Sequence, residues 1–309
     1  MSVFKKVISV ISALALLFAI ALFLISPVRY ALCVREGISL WAVSVLPSVF
    51  PFLFLTAALS QTKPFAVFSR RIAPVSQKLF RISGTGAGIF LLSVLSGYPV
   101  GARTIADYEK NNLLPKEELF RLSCLCSTCG PVFLIGVVGG GMLNNALLGA
   151  LMLLCHLTAV TLISFLLSRR AQKPTARPIP FARAKSGLFE NIYSAVIAVL
   201  CVGGSIALFA CFSQMLADIF RLNDASMLTA LIRGLVEMTT GCNLLCKNPT
   251  PFSLSLCCFL TTFGGGCVLF QQLAFLTPTG IKPFPFILVK LTEGVLAAGL
   301  FYPLALLLL

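Results

Sequence analysis

The chain has 309 residues, of which 58% are hydrophobic, with a mean hydropathy of +0.98 and a formal net charge of +14. This composition lies outside the range of soluble globular domains, so the solvent for most of the chain is lipid. The positive charge calls for no nucleic acid, because it falls between apolar runs, where membrane orientation and contact with anionic lipid account for it.

A hydrocarbon core about 30 Å thick takes roughly 20 apolar residues per helix. Runs of that length stand at about 7–26, 38–60, 117–140, 143–168, 189–216, 253–276 and 284–309, which predicts seven crossings of an all-α polytopic membrane protein. The first run follows Lys5 and Lys6 and meets no clear small-residue cleavage site before Arg29, so residues 1–28 read as a retained membrane anchor. Between about 65 and 82, Arg70, Arg71, Lys78 and Arg81 alternate with Phe68, Ile72, Val75 and Phe80, the pattern of an interfacial amphipathic helix.

The next apolar segment, 84–102, is interrupted by Ser96-Gly97-Tyr98-Pro99-Val100-Gly101-Ala102. Pro99 lacks a backbone donor and cannot continue a regular helix, and an exposed break would strand polar backbone groups in hydrocarbon. The break is therefore expected to be a re-entrant hairpin, buried in protein or facing water. A basic linker occupies 169–188, and beyond it the segment 226–246 is interrupted by Thr240-Gly241-Cys242-Asn243. Paired interruptions in two halves point to the binding site of a transporter.

With the N-terminus in the cytoplasm and each hairpin returning to its own side, most of the 24 basic residues fall inside. Arg29, Arg35, Arg221 and Lys247 fall outside, and Arg233 and Lys290 lie within apolar segments. The asymmetry predicts a cytoplasmic N-terminus and an external C-terminus. The halves also match in pieces: Ser93 to Gly97 with Glu237 to Gly241, and Ser127 to Pro131 with Thr261 to Gly265. A first repeat over 29–168 and a second over 189–309, each with three crossings and one hairpin, must insert in opposite senses, which predicts an inverted repeat.

Three strings carry a family resemblance: Leu46-Pro47-Ser48-Val49-Phe50-Pro51-Phe52, Ser96 to Ala102, and Cys129-Gly130-Pro131-Val132-Phe133-Leu134-Ile135-Gly136. With Gly234 to Glu237, Phe263-Gly264-Gly265 and Gln271 in the second half, the chain resembles the YlbJ/SpoVV sporulation membrane proteins over about 29–276. Ser127 and Cys129 stand where that pattern more often has Asn and Ser. The group is similar to the nucleoside-recognition (Gate) superfamily and, through it, to concentrative nucleoside transporters. That resemblance implies two re-entrant hairpins and two broken helices around a central site. It also implies, as function, movement of dipicolinic acid across the outer forespore membrane during sporulation.

A broken helix presents unpaired N–H groups and a positive dipole end, which suits a carboxylate. Ser96, Gly97, Tyr98, Pro99 and Gly101 from one hairpin and Glu237, Thr240, Gly241 and Asn243 from the other are the candidate substrate-binding residues, with Thr128, Gly130, Thr262 and Gly264 at the neighbouring breaks. Close helix packing is the plainer use of such small residues. Glu237 could bind a proton, a sodium ion or a substrate donor.

Arg233 with Glu237 (i, i+4) and Lys290 with Glu293 (i, i+3) each share one helical face, and local ion pairing is the simplest reading of both. Arg103 either anchors the cytoplasmic side or attracts an anionic substrate. Twelve cysteines include Cys124, Cys126 and Cys129, but most lie in apolar spans away from the sole histidine, His156. Neither a metal site nor a cofactor is expected, and no catalytic motif points to an enzyme. The expected partners are a small anionic substrate and the bilayer, with a homo-oligomer open. A nucleoside transporter and a non-transporting sporulation scaffold are the alternatives.

Overall fold

A computed structural model describes residues 3–169, 171 and 187–309, so most of the expected linker at 169–188 lies outside the described residues. The described residues are helical throughout, without a strand. In chain order the first group is α1 (Val3–Ile25), α2 (Pro27–Leu40), a π-helical turn (Trp41–Val45), α3 (Leu46–Ser60), α4 (Lys63–Leu79), α5 (Gly84–Ser96), α6 (Val100–Lys110), a short 3-10 turn (Lys116–Glu118), α7 (Leu119–Leu125), a π-helical stretch (Val132–Met142) and α8 (Ala146–Ser168). The second group is α9 (Leu188–Ile219), α10 (Met227–Val236), α11 (Met238–Cys246), α12 (Pro251–Phe263), α13 (Gly265–Leu276), a 3-10 turn (Thr277–Thr279) and α14 (Pro283–Leu308).

Helix starts are set by short polar side chains. Thr62 accepts from Phe65 N, Ser83 from Gly86 N, and Asn145 from both Leu147 N and Leu148 N. Thr250 and Ser253 cap α12 reciprocally, and Pro251 fits the first turn, where its missing N–H costs nothing.

Four helices are long and apolar enough to cross a membrane: α8, α9, the joined stretch Pro251–Thr279, and α14. Two bent pairs raise the number to six: Val10–Ile25 with the helix after it, at 105°, and α4 with α5, at 97°. Of the seven expected crossings, four are met in this form. The 38–60 run is instead divided by the π-helical turn at Trp41–Val45, after which α3 runs from Leu46 to Ser60 with Pro47 in its first turn and Pro51 inside it. The 117–140 run is broken between α7 and the π-helical stretch. The expected amphipathic helix is α4, which turns Phe65, Ala66, Ser69 and Ser76 inward and Arg70, Arg71 and Lys78 outward.

Apart from α4, the order helix, helix-turn-helix, broken helix, long helix occurs twice: from the shorter α3 through α5–α6 and the α7 break to α8, and from α9 through α10–α11 and α12–α13 to α14. The core gathers around the breaks, with Cys129, Phe133 and Leu134 from the first half packed with Cys242, Leu260 and Cys267 from the second. The cysteines are free thiols, and most are buried there.

Candidate functional site

The first turn forms where α5 ends at Ser96 and Gly97 adopts φ +75°, a conformation that favours glycine. A Cβ on Gly97 would lie 2.5 Å from the Gly130 nitrogen, so the turn rests directly on the backbone of the first helix break. Thr128 Oγ1 donates to Ser93 O (2.9 Å), and Ser96 Oγ donates to Thr56 Oγ1 on α3 (3.0 Å). Tyr98 crosses to the second half, its hydroxyl donating to Thr262 O (2.9 Å) and, more distantly, Thr261 O (3.3 Å). Pro99 starts α6, and Gly101 packs that helix against the end of α7, where a Cβ would lie 2.3 Å from Cys126 O.

The second turn lies earlier than the sequence suggests. Glu237 has an extended backbone that ends α10, and its carboxylate starts α11 by accepting from Thr239 N (3.0 Å), Thr240 N (2.6 Å) and Thr240 Oγ1 (2.8 Å). Thr240, Gly241 and Asn243 are therefore helical rather than a break. A Cβ on Gly241 would lie 2.2 Å from Gly234 Cα, so this glycine holds the two arms of the hairpin together. Thr240 and Asn243 face a different cavity, shared with Glu36 and Arg233.

The expected Arg233–Glu237 pairing is likewise replaced. Arg233 donates to Asp224 Oδ1 (2.7 Å), Gln214 Oε1 (3.0 Å) and Ser213 Oγ (3.3 Å), because the helix carrying Arg233 stops before Glu237. Arg103 donates to Ser194 O (3.1 Å) and Ser194 Oγ (2.6 Å) on α9. Lys290 does pair with Glu293, at 2.7 Å, and both are fully buried.

The second break is at Gly264, with φ +94°, followed by Gly265 at +64°. A Cβ on Gly265 would lie 2.7 Å from Gly234 O, so this break rests on the second turn as Gly130 rests on the first. His156 on α8 joins the two breaks: Cys129 N donates to its Nε2 (2.9 Å), which leaves Nδ1 to carry the proton toward Thr262 Oγ1 (3.0 Å).

One cavity lies among these parts, a void of about 640 Å³ counted to the surrounding atoms and including its open mouth. Ser96, Gly97, Tyr98, Gly130 and Glu237 line it, as the sequence suggests, with Thr239 and Gln271 adding polar groups from outside the expected set. Gln271, a polar side chain in the apolar run 253–276, was the available signal. Val49 and Val202 bring α3 and α9 into the wall. Pro99, Gly101, Thr128, Thr262 and Gly264 support the cavity without lining it, and Thr240, Gly241 and Asn243 stand away from it.

No protein-family model matches this chain, and no solved structure matches it. The sporulation integral membrane protein YlbJ of Bacillus subtilis (strain 168) is 26% identical over 304 aligned residues, covering 85% of this chain and 74% of the relative. The similarity supports the YlbJ resemblance, and with the apolar helices it makes this chain a multi-pass membrane protein similar to that sporulation protein.

Proposed function

We propose that the chain is a membrane transporter of a small anionic solute, dipicolinic acid, moved across the outer forespore membrane during sporulation. The observation that carries this reading is the cavity bounded by both hairpin turns, the first helix break and the helix that follows the second. A scaffold protein has no use for two turns and two breaks converging on one void. Apolar walls with a few polar groups suit a flat heteroaromatic acid. The N-terminal part of α13 adjoins the cavity through Cys267 and Val268, so the positive end of that helix favours an anionic group there. The twofold order of elements agrees with an inverted repeat of the kind found in concentrative nucleoside transporters.

A nucleoside is the second reading, and Glu237 is the observation that favours it. Among the described residues this carboxylate is the one charged side chain in the cavity lining, and Ser96, Thr239 and Gln271 offer groups for hydroxyls and a base. Uptake of labelled dipicolinate into proteoliposomes, with uridine in parallel, separates the two. Saturable dipicolinate uptake is expected. Uridine uptake alone favours the nucleoside reading, and uptake of neither favours a non-transporting sporulation scaffold.

A further inference from the structure

Lys290 and Glu293 lie one turn apart on α14, both fully buried in a helix of membrane-spanning length. Lys290 Nζ donates to Glu293 Oε2 and to the main-chain oxygen of Ser127, each at 2.7 Å. Ser127 is in the first helix break, so the ammonium serves the carbonyl end of α7, where a helix leaves acceptors unpaired and carries partial negative charge. Its other neighbour is the Tyr98 ring, 5.7 Å away at the centroid, and Tyr98 lines the cavity. The pair therefore stands directly behind the cavity wall.

Two details exceed what a scaffold needs. Replacing a buried ion pair by apolar side chains of similar volume is often neutral or stabilising, so packing alone gives no reason to keep it. In addition, Glu293 Oε1, buried, has no hydrogen-bond partner among the described residues. The other titratable groups facing the pair are Cys124 on α7, Cys129 in the break, Tyr98 in the first turn and His156 on α8; Cys258 on α12 meets α14 one turn further on, at Ala297 O. Both ring nitrogens of His156 are engaged, and the Tyr98 hydroxyl donates to carbonyls, which leaves Glu293 Oε1 as the open proton acceptor.

We propose that Glu293, held by Lys290, is the proton-binding site that couples transport to a proton gradient. This rests on the transport reading above and names its coupling ion. One proton from water on the acidic side binds Glu293 Oε1, and the same proton leaves to water on the other side after the solute is released. While it is bound, the neutral Lys290–Glu293 pair becomes a single net positive charge behind Tyr98. The cavity lining has no cation of its own among the described residues, so this charge favours the anion. By linkage, a bound anion strengthens proton binding by the same factor. A proton and a solute anion then travel together.

The test uses purified full-length protein in proteoliposomes and two readouts: exchange of labelled against unlabelled dipicolinate at equal pH, and uphill accumulation when the outside is made acidic. Wild type should do both. Glu293→Gln keeps the charge state of the protonated pair, so it should exchange dipicolinate yet accumulate none beyond the level without a gradient. The double change Lys290→Met and Glu293→Met guards against misfolding and should also exchange, with weaker affinity and no response to pH.

Several outcomes overturn the proposal. Gradient-driven accumulation by Glu293→Gln at the wild-type level does so, as does wild-type exchange that ignores the gradient. Loss of exchange in both variants makes the pair structural and also overturns it. If wild type exchanges no dipicolinate at all, the transport reading fails and the coupling site with it.

Discussion

His156 is the sole histidine of the chain and ties the two helix breaks through both ring nitrogens. Replacing it with Leu leaves the buried Cys129 N–H without a partner, at a cost of about 1–3 kcal/mol. His156→Leu should therefore lower the thermal unfolding midpoint of the purified protein in detergent, and an unchanged midpoint would show that the breaks are held by other contacts. Glu237 has two tasks, as cap of α11 and as cavity wall. Glu237→Gln keeps one acceptor for the Thr239 and Thr240 donors but turns amide hydrogens toward the rest, costing about 1 kcal/mol on the scale of lost helix caps. It should impair uptake while sparing expression; wild-type uptake at equal yield would remove Glu237 from the site.

At the scale of the helix, glycines that look alike in sequence separate into different roles. Gly97 sits at positive φ against Gly130, whereas Gly241 is helical and wedged against Gly234. Gly241→Ala should push apart the arms of the second hairpin and lower folded yield. Gly299→Ala, where an added Cβ meets nothing within 4 Å, is the matched control and should be tolerated. Equal yields from the two, read by size-exclusion chromatography, would contradict a packing role for Gly241.

The first turn was legible because Pro99 forbids a continued helix and Gly97 permits the reversal. The second turn was displaced because Thr240-Gly241 resembles an interruption, whereas the actual interruption of α10–α11 is at Glu237, whose side chain folds back on its own backbone. That same turn undid the Arg233–Glu237 pairing, since i, i+4 spacing places two residues on one face only where the helix is continuous. Lys290 and Glu293 sit in an unbroken helix, and there the same argument holds. The run 117–140 looked continuous because its apolar residues on either side of Ser127-Thr128-Cys129-Gly130 hide a short backbone interruption.

Over the whole molecule, two similar sets of elements converge on one void, within a bundle that includes helices of membrane-spanning length. Orientation remains an expectation of charge asymmetry. A single cysteine placed in the 169–185 segment, in a background without accessible native thiols, should be shielded from an impermeant thiol reagent in intact cells; labelling from outside would reverse the assigned topology.

A solute held between the two turns is detected by equilibrium binding of labelled dipicolinate to the purified protein, wild type beside Val49→Trp. Val49 is partly buried in the cavity wall, and the larger ring fills the void without removing a polar group. Saturable binding by wild type, weakened about tenfold or more in a variant that remains folded, corresponds to at least ~1.4 kcal/mol and is the expected result. Equal binding by both proteins, or none by wild type, would contradict a dipicolinate site in this cavity.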